Sequence, residues 1–364
     1  HEFFNAEINL DNTTDILTLT KDLDLNGDLV VEQGILQINN TGTTVLNITV
    51  EDDVYVEANG QITVGTGDTY TSAGGNHEQY HQLSVKGNFT NEGSVKLTNR
   101  SSADYSNDDA SGAAELIFNN SSENQALTCN NTTVLNQLTI NKGADDTYIL
   151  TVSASNTSNF ALYGRNDQEI TGASGSRDGN KALRLLAGTC KLGSNIVIPN
   201  IADNYSYDID SDARLWLDGA NVTMTNGSND NWIAIYGELL VSGTSQLTEQ
   251  TDYGTILRET GSFKVEDGTV SLNAFRTSVW SGDHIGSYVQ TGGDVNIKNE
   301  SSNSDFASFH LGYEGNVFQM SDGTLTVEDQ GNGGDGDDFA IIINCASGNY
   351  NVTGGTVIID MIYD

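Results

Sequence analysis

Apolar and polar residues alternate with a period of two along much of this chain. Leu17-Thr-Leu19, Leu23-Asp-Leu25, Leu29-Val-Val31, Leu36-Gln-Ile38, Leu46-Asn-Ile48, Val54-Tyr-Val56 and Ile62-Thr-Val64 follow one another, separated by Asn26-Gly27, Gly34, Gly42 and Asn59-Gly60. Alternation of this kind marks short strands with one buried face, and the Asn-Gly and Gly steps mark the turns between them. Polar stretches at 66–82 and 99–113 interrupt the series. Strands resume at Leu83-Ser-Val85, Phe89 and Val95-Lys-Leu97, and again from Leu116 to Val152. No window keeps apolar residues at helical spacing for three turns, so no helix is expected.

Towards the end of the chain one phrase is written three times. It reads Tyr288-Val-Gln-Thr-Gly-Gly293-Asp-Val295-Asn-Ile297, then Phe318-Gln-Met-Ser-Asp-Gly323-Thr-Leu325-Thr-Val327, then Tyr350-Asn-Val-Thr-Gly-Gly355-Thr-Val357-Ile-Ile359. An aromatic is followed by glycine at offset five and by apolar residues at seven and nine. Weaker copies start at Leu183, Leu215 and Phe263, and one near Leu239-Val241 and Leu247 has slipped by a residue. Two strands joined by a glycine bend cannot bury an apolar face alone, so copies must stack, aromatic over aromatic and Val over Leu. This predicts an all-β fold, a β-solenoid of irregular rungs of about 23–32 residues with long polar loops. Residues 1–155 form a segment of short rungs, and 156–364 a more regular continuation of it.

Composition narrows the function classes. Lys and Arg number 15 and Asp and Glu 50, a net charge of −35. That surface repels phosphate backbones and anionic lipid, which argues against nucleic acid and membrane docking as partners. No apolar run reaches transmembrane length, and no leader or lipidation motif stands at the start. The abrupt start and stop are read as those of a piece of a longer protein. Cys129, Cys190 and Cys345 are odd in number and widely spaced, which fits buried free thiols rather than disulfides or a metal site. Asn-x-Ser/Thr occurs 15 times, Asn47, Asn88 and Asn351 among them. Asn at stacked turns can also form hydrogen-bonded ladders.

Three local motifs invite a chemical reading. His77-Glu78-Gln-Tyr-His81 matches the HExxH zinc motif, but it leads straight into a strand and lacks the helix that would put both histidines on one side. Asp22-Leu-Asp24-Leu-Asn26-Gly27 opens like a calcium loop, yet Gln33 stands at position twelve, and a strand ending in an Asn-Gly turn fits better. Asp329 to Asp338 is an acidic loop that could gather Ca²⁺; a solvated loop is favoured. No catalytic residue, cofactor site or metal ligand is therefore assigned. The basic residues are few and scattered, where lyase chemistry would want them clustered beside acids.

The run Leu127-Thr-Cys-Asn-Asn-Thr-Thr-Val-Leu-Asn-Gln-Leu-Thr-Ile-Asn-Lys-Gly143, with Tyr148-Ile-Leu-Thr-Val152, Leu162-Tyr-Gly-Arg-Asn166, Lys181-Ala-Leu183 and Leu215-Trp-Leu-Asp-Gly-Ala-Asn-Val-Thr223, resembles repeats of giant Bacteroidota surface proteins. These include gliding-motility-type adhesins exported by the type IX system, and the Gln290-Thr-Gly-Gly-Asp-Val295 and Met320-Ser-Asp-Gly-Thr-Leu325 phrases look like their β-helical arrays. The resemblance implies a right-handed parallel β-helix, cell-surface or extracellular display, and no catalytic residues. Their C-terminal sorting domain is not among these 364 residues, so the export route is expected from the resemblance alone. The expected role is a rigid stalk or adhesive fibre that contacts glycans, surfaces, neighbouring segments or other subunits. Tyr163, Trp232 and Trp280 are the candidate contact aromatics. A polysaccharide lyase or hydrolase is the competing expectation, and a self-assembling extracellular filament subunit the third.

Overall fold

A computed structural model describes residues 2–39, 44–66, 80–101, 112–163, 182–199, 207–225, 232–250, 254–277, 284–298, 307–329 and 339–361. Among them the chain is all-β, with no helix and with parallel strands in long sheets. It divides into two compact units, His1–Ile198 and Pro199–Asp364.

Within the first unit the strands pair in three parallel ladders. One runs through Leu23–Leu25, Asn47–Val50, His81–Val85, Ala114–Phe118 and Gln137–Asn141 into the start of Leu183–Leu192. A second links Ala6–Asn9 to Leu29–Ile38, Val54–Val64, Phe89–Asn91, Gln125–Cys129 and Ile149–Ala154. The third joins Ile16–Leu19 to the later halves of Leu29–Ile38 and Val54–Val64, then to Ser94–Lys96, Thr133–Leu135 and Phe160–Leu162. The chain visits the ladders in turn. Side chains at equal register therefore form columns, such as Leu25, Val50, Val85, Phe118, Ile140 and Leu185. All six are buried, so the alternation in the sequence is the alternation between core and surface.

The second unit repeats the plan, and here the recurring phrase sets the register. Its first position forms the column Leu215, Leu239, Phe263, Tyr288, Phe318 and Tyr350. Its offset-seven position forms Val222, Leu247, Val270, Val295, Leu325 and Val357. The slipped copy thus keeps its place, with the extra residue taken up in the turn beside Gly243. Tyr288 and Phe318 stack at 5.5 Å, and Phe318 and Tyr350 at 5.6 Å. Phe309 meets the edge of that column from a further ladder that runs through Ile233–Ile235, Thr255–Leu257, Phe275–Thr277 and Phe309–Leu311, its ring 5.1 Å from that of Tyr288. The bends need glycine: Gly268, Gly293, Gly323 and Gly355 have φ of 86°, 67°, 84° and 85°, in the left-handed region. Tyr350, Val357 and Ile359 are about half exposed at the last strands, whereas their column neighbours Phe318, Leu325 and Val327 are buried.

Candidate functional site

Among the described residues, a dense group of chemically capable side chains lies at the turns that enter the second ladder of the first unit. Asn5, Asp28, Asp53 and Asn88 each stand just before a strand of that ladder, and their side chains connect one turn to the next. The Asp28 N–H donates to Asn5 Oδ1 at 3.0 Å, the Asp53 N–H to Asp28 Oδ1 at 3.0 Å and the Asn88 N–H to Asp53 Oδ1 at 2.6 Å. The Ala126 N–H continues the series to Asn88 Oδ1 at 2.9 Å. Short acceptor side chains are used because the turn leaves a backbone N–H without a strand partner. The approach is close: a Cβ on Gly27 would lie 2.0 Å from Asn5 Oδ1, and one on Gly87 2.4 Å from Asp53 Oδ1.

The same stacking crowds carboxylates. Asp28, Asp52 and Asp53 each offer an oxygen within 4.8 Å of the others. The Asp52 carboxyl is held above its ordinary value, first by burial and then by the charges of Asp28, Asp53 and Glu123. Tyr55 Oη donates to Asp53 Oδ2 at 2.9 Å, which raises the Tyr55 pKa. The donor set suits a hard cation of the Ca²⁺ or Mg²⁺ type. Asp28 Oδ1 and both Asp53 oxygens are already engaged by the fold, however, far short of the six to eight oxygens that Ca²⁺ gathers. Asp28 and Asp53 are explained as turn acceptors, while Asp52 contributes only its backbone carbonyl, to the Gly87 N–H.

The motifs read from the sequence fall as follows. His77 and Glu78 lie outside the described residues. His81 begins the strand His81–Val85 and is 1% exposed; its Nδ1 accepts the Leu46 N–H at 2.9 Å and its Nε2 faces the Asn39 amide at 3.3 Å. Both ring nitrogens are engaged, so His81 has no nitrogen to give a metal. Leu23–Leu25 is a strand closed by Asn26-Gly27, as the turn reading expects. Residues 330–338 of the acidic loop lie outside the described residues, as does Trp280. Tyr163 and Trp232 are half-buried. Cys129 and Cys190 are buried free thiols, and burial pushes them up to about 11 and about 12. Cys345 is free too, but only half-buried, so the expectation of a buried thiol fails there.

Two groupings escaped the sequence reading. Arg214 Nε donates to Glu238 Oε1 at 2.6 Å, and Lys264 Nζ pairs with the other oxygen of the same carboxylate. Bases scattered in sequence thus meet across adjacent strands, beside the half-buried Trp216. The second grouping surrounds Lys142, which is fully buried. Its Nζ donates to Asn120 O at 3.0 Å, to Glu123 O at 2.9 Å and to Gln125 Oε1. Burial lowers its pKa to about 8. Arg214, Glu238 and Lys264 are spaced by about one repeat length, which carries meaning only once the register is known, and the Lys142 grouping has no spacing signal in the sequence.

No protein-family model, no curated protein and no solved structure matches the chain.

Proposed function

We propose that this chain is a structural, adhesive segment of a large secreted or cell-surface protein. On this reading it is a right-handed parallel β-helix that serves as a rigid stalk or fibre in attachment. The observation that carries the proposal is the set of parallel ladders in each unit, in which strands of successive repeats share one register. Ladders of this kind satisfy backbone groups along one axis and bury a continuous core, which makes a stiff support. The strand faces that point outward offer many similar shallow positions, suited to numerous weak contacts with glycans or solid surfaces rather than to one deep site. The resemblance to gliding-type adhesin repeats agrees with this role and with extracellular display.

Electron microscopy of the purified protein is expected to show thin rods, and compact round particles would refute the stalk reading. The enzyme reading is addressed by incubating the protein with acidic and neutral polysaccharides. Release of product from any of them would replace the structural role with a catalytic one.

A further inference from the structure

We propose that His81 is an acid-operated tie in the first unit, releasing the start of the strand Asn47–Val50 when its ring takes up a proton. The case begins with the backbone. Leu46 is buried, and its carbonyl accepts the Gln82 N–H at 2.9 Å in the ladder. Its own N–H goes to the ring of His81 at 2.9 Å instead of to a neighbouring strand. The Asn47 N–H likewise goes to a side chain, Asp22 Oδ1, at 2.8 Å. The entry to this strand is thus anchored on side chains.

A nitrogen that accepts a hydrogen bond carries no proton, so the neutral ring has its hydrogen on Nε2. The Asn39 amide nitrogen stands 3.3 Å from Nε2, and with the ring proton on Nε2 the amide must be turned over so that its oxygen accepts. Asn39 is itself fixed at the end of Leu29–Ile38, with a φ of 57° and its N–H on Leu19 O. One neutral imidazole therefore joins three segments, and both of its nitrogens are used. A second proton would sit on Nδ1 and point at the Leu46 N–H, donor against donor. The bond must break, and a buried N–H is left without an acceptor.

Among the described residues, no titratable group on the surrounding elements offers the charged ring a carboxylate. Glu115, on the adjoining strand, is engaged by Thr139 Oγ1, Gln82 Nε2 and Arg184 Nη1. Asp22 Oδ1 is held by the Asn47 N–H, and a variant at His81 separates the two. Burial holds the His81 pKa below its ordinary 6.5. The sign follows: with the folded value below the unfolded one, the tie is intact above pH 6.5 and is lost as pH falls from there toward the folded value.

The test uses the full chain. Nitrogen NMR of the His81 ring is expected to show the neutral Nε2–H form at pH 7. Amide exchange at Leu46 and Asn47, corrected for the intrinsic pH dependence, is expected to quicken by up to about tenfold per pH unit below 6.5. His81→Asn supplies a non-titrating oxygen near the Nδ1 position, and the acid response of these two amides should vanish while that of the second unit is unchanged. An Nδ1–H ring at pH 7 would overturn the proposal even if the variant failed to fold. So would an exchange response in His81→Asn equal to that of the parent.

Discussion

Lys142 offers the sharpest test of how this fold handles a buried charge, because two opposing effects act on one atom. Three oxygens surround Nζ and favour the ammonium, while complete burial favours the neutral amine. The drop in its pKa from 10.5 to about 8 says that burial wins. Lys142→Met keeps most of the stem's volume and removes every donor. The buried Gln125 Oε1 is then left unsatisfied, at about 1–3 kcal/mol, and the two loop carbonyls lose about 0.5–1.5 kcal/mol each. Against this, the variant escapes the penalty of holding an ammonium in the core. A difference of that size in pKa corresponds to about 3 kcal/mol at pH 7.

The two contributions nearly offset at neutral pH, so the variant should lose only about 1 kcal/mol there. Between pH 8 and 10.5 the unfolded parent still binds the proton that the folded parent has released, so the parent gains stability as pH rises. The loss caused by Lys142→Met should therefore grow by up to about 3 kcal/mol across that window. Urea unfolding of both proteins at pH 7, 8, 9 and 10 measures the difference, in which the titrations they share cancel. A loss that is large at pH 7 and shrinks on alkalinisation would refute the reasoning, since it would mean that the oxygens outweigh burial.

Three further outcomes follow from the ladders. Phe318→Ala should destabilise the second unit by about 3–5 kcal/mol, because the ring is sandwiched between Tyr288 and Tyr350, and chemical denaturation will show it. Tyr288→Phe should cost about 1–2 kcal/mol by stripping Gln290 Oε1 of the hydroxyl that donates to it at 2.8 Å; an unchanged unfolding midpoint would contradict that role. Asp53→Asn keeps the acceptor for the Asn88 N–H and removes one of three crowded charges, so its melting temperature should match or exceed the parent's, whereas Asp53→Ala should lose about 1–2 kcal/mol. If both substitutions were equally harmful, the carboxylate itself would matter and a bound cation would return as the explanation.

What could be read in advance followed the pattern of burial. The phrase from Tyr288 to Ile359 showed its register because its strands bury one face only, and its glycines were legible because the bend requires positive φ. The third ladder of the second unit left no such trace. Ile233–Ile235, Thr255–Leu257 and Phe275–Thr277 are buried on both faces, Arg276 included, so polarity along these three-residue strands does not mark a surface side. The local motif His77-Glu78-Gln-Tyr-His81 suggested a ligand set because two histidines four apart share a helix face, whereas a strand gives His81 to the backbone of Leu46.

The reason goes deeper than a misread motif. In a helix or a single loop, groups that cooperate are close in sequence, so short patterns announce them. In parallel ladders, neighbours across strands lie one repeat apart. Arg214, Glu238 and Lys264 meet through adjacent strands, and Asn5, Asp28, Asp53 and Asn88 meet through adjacent turns. Because loops between strands vary in length, these intervals are irregular, and no fixed spacing can reveal the grouping. Chemistry in such a chain is legible only after its register is, which makes any contact site on the outward strand faces a property of columns rather than of motifs.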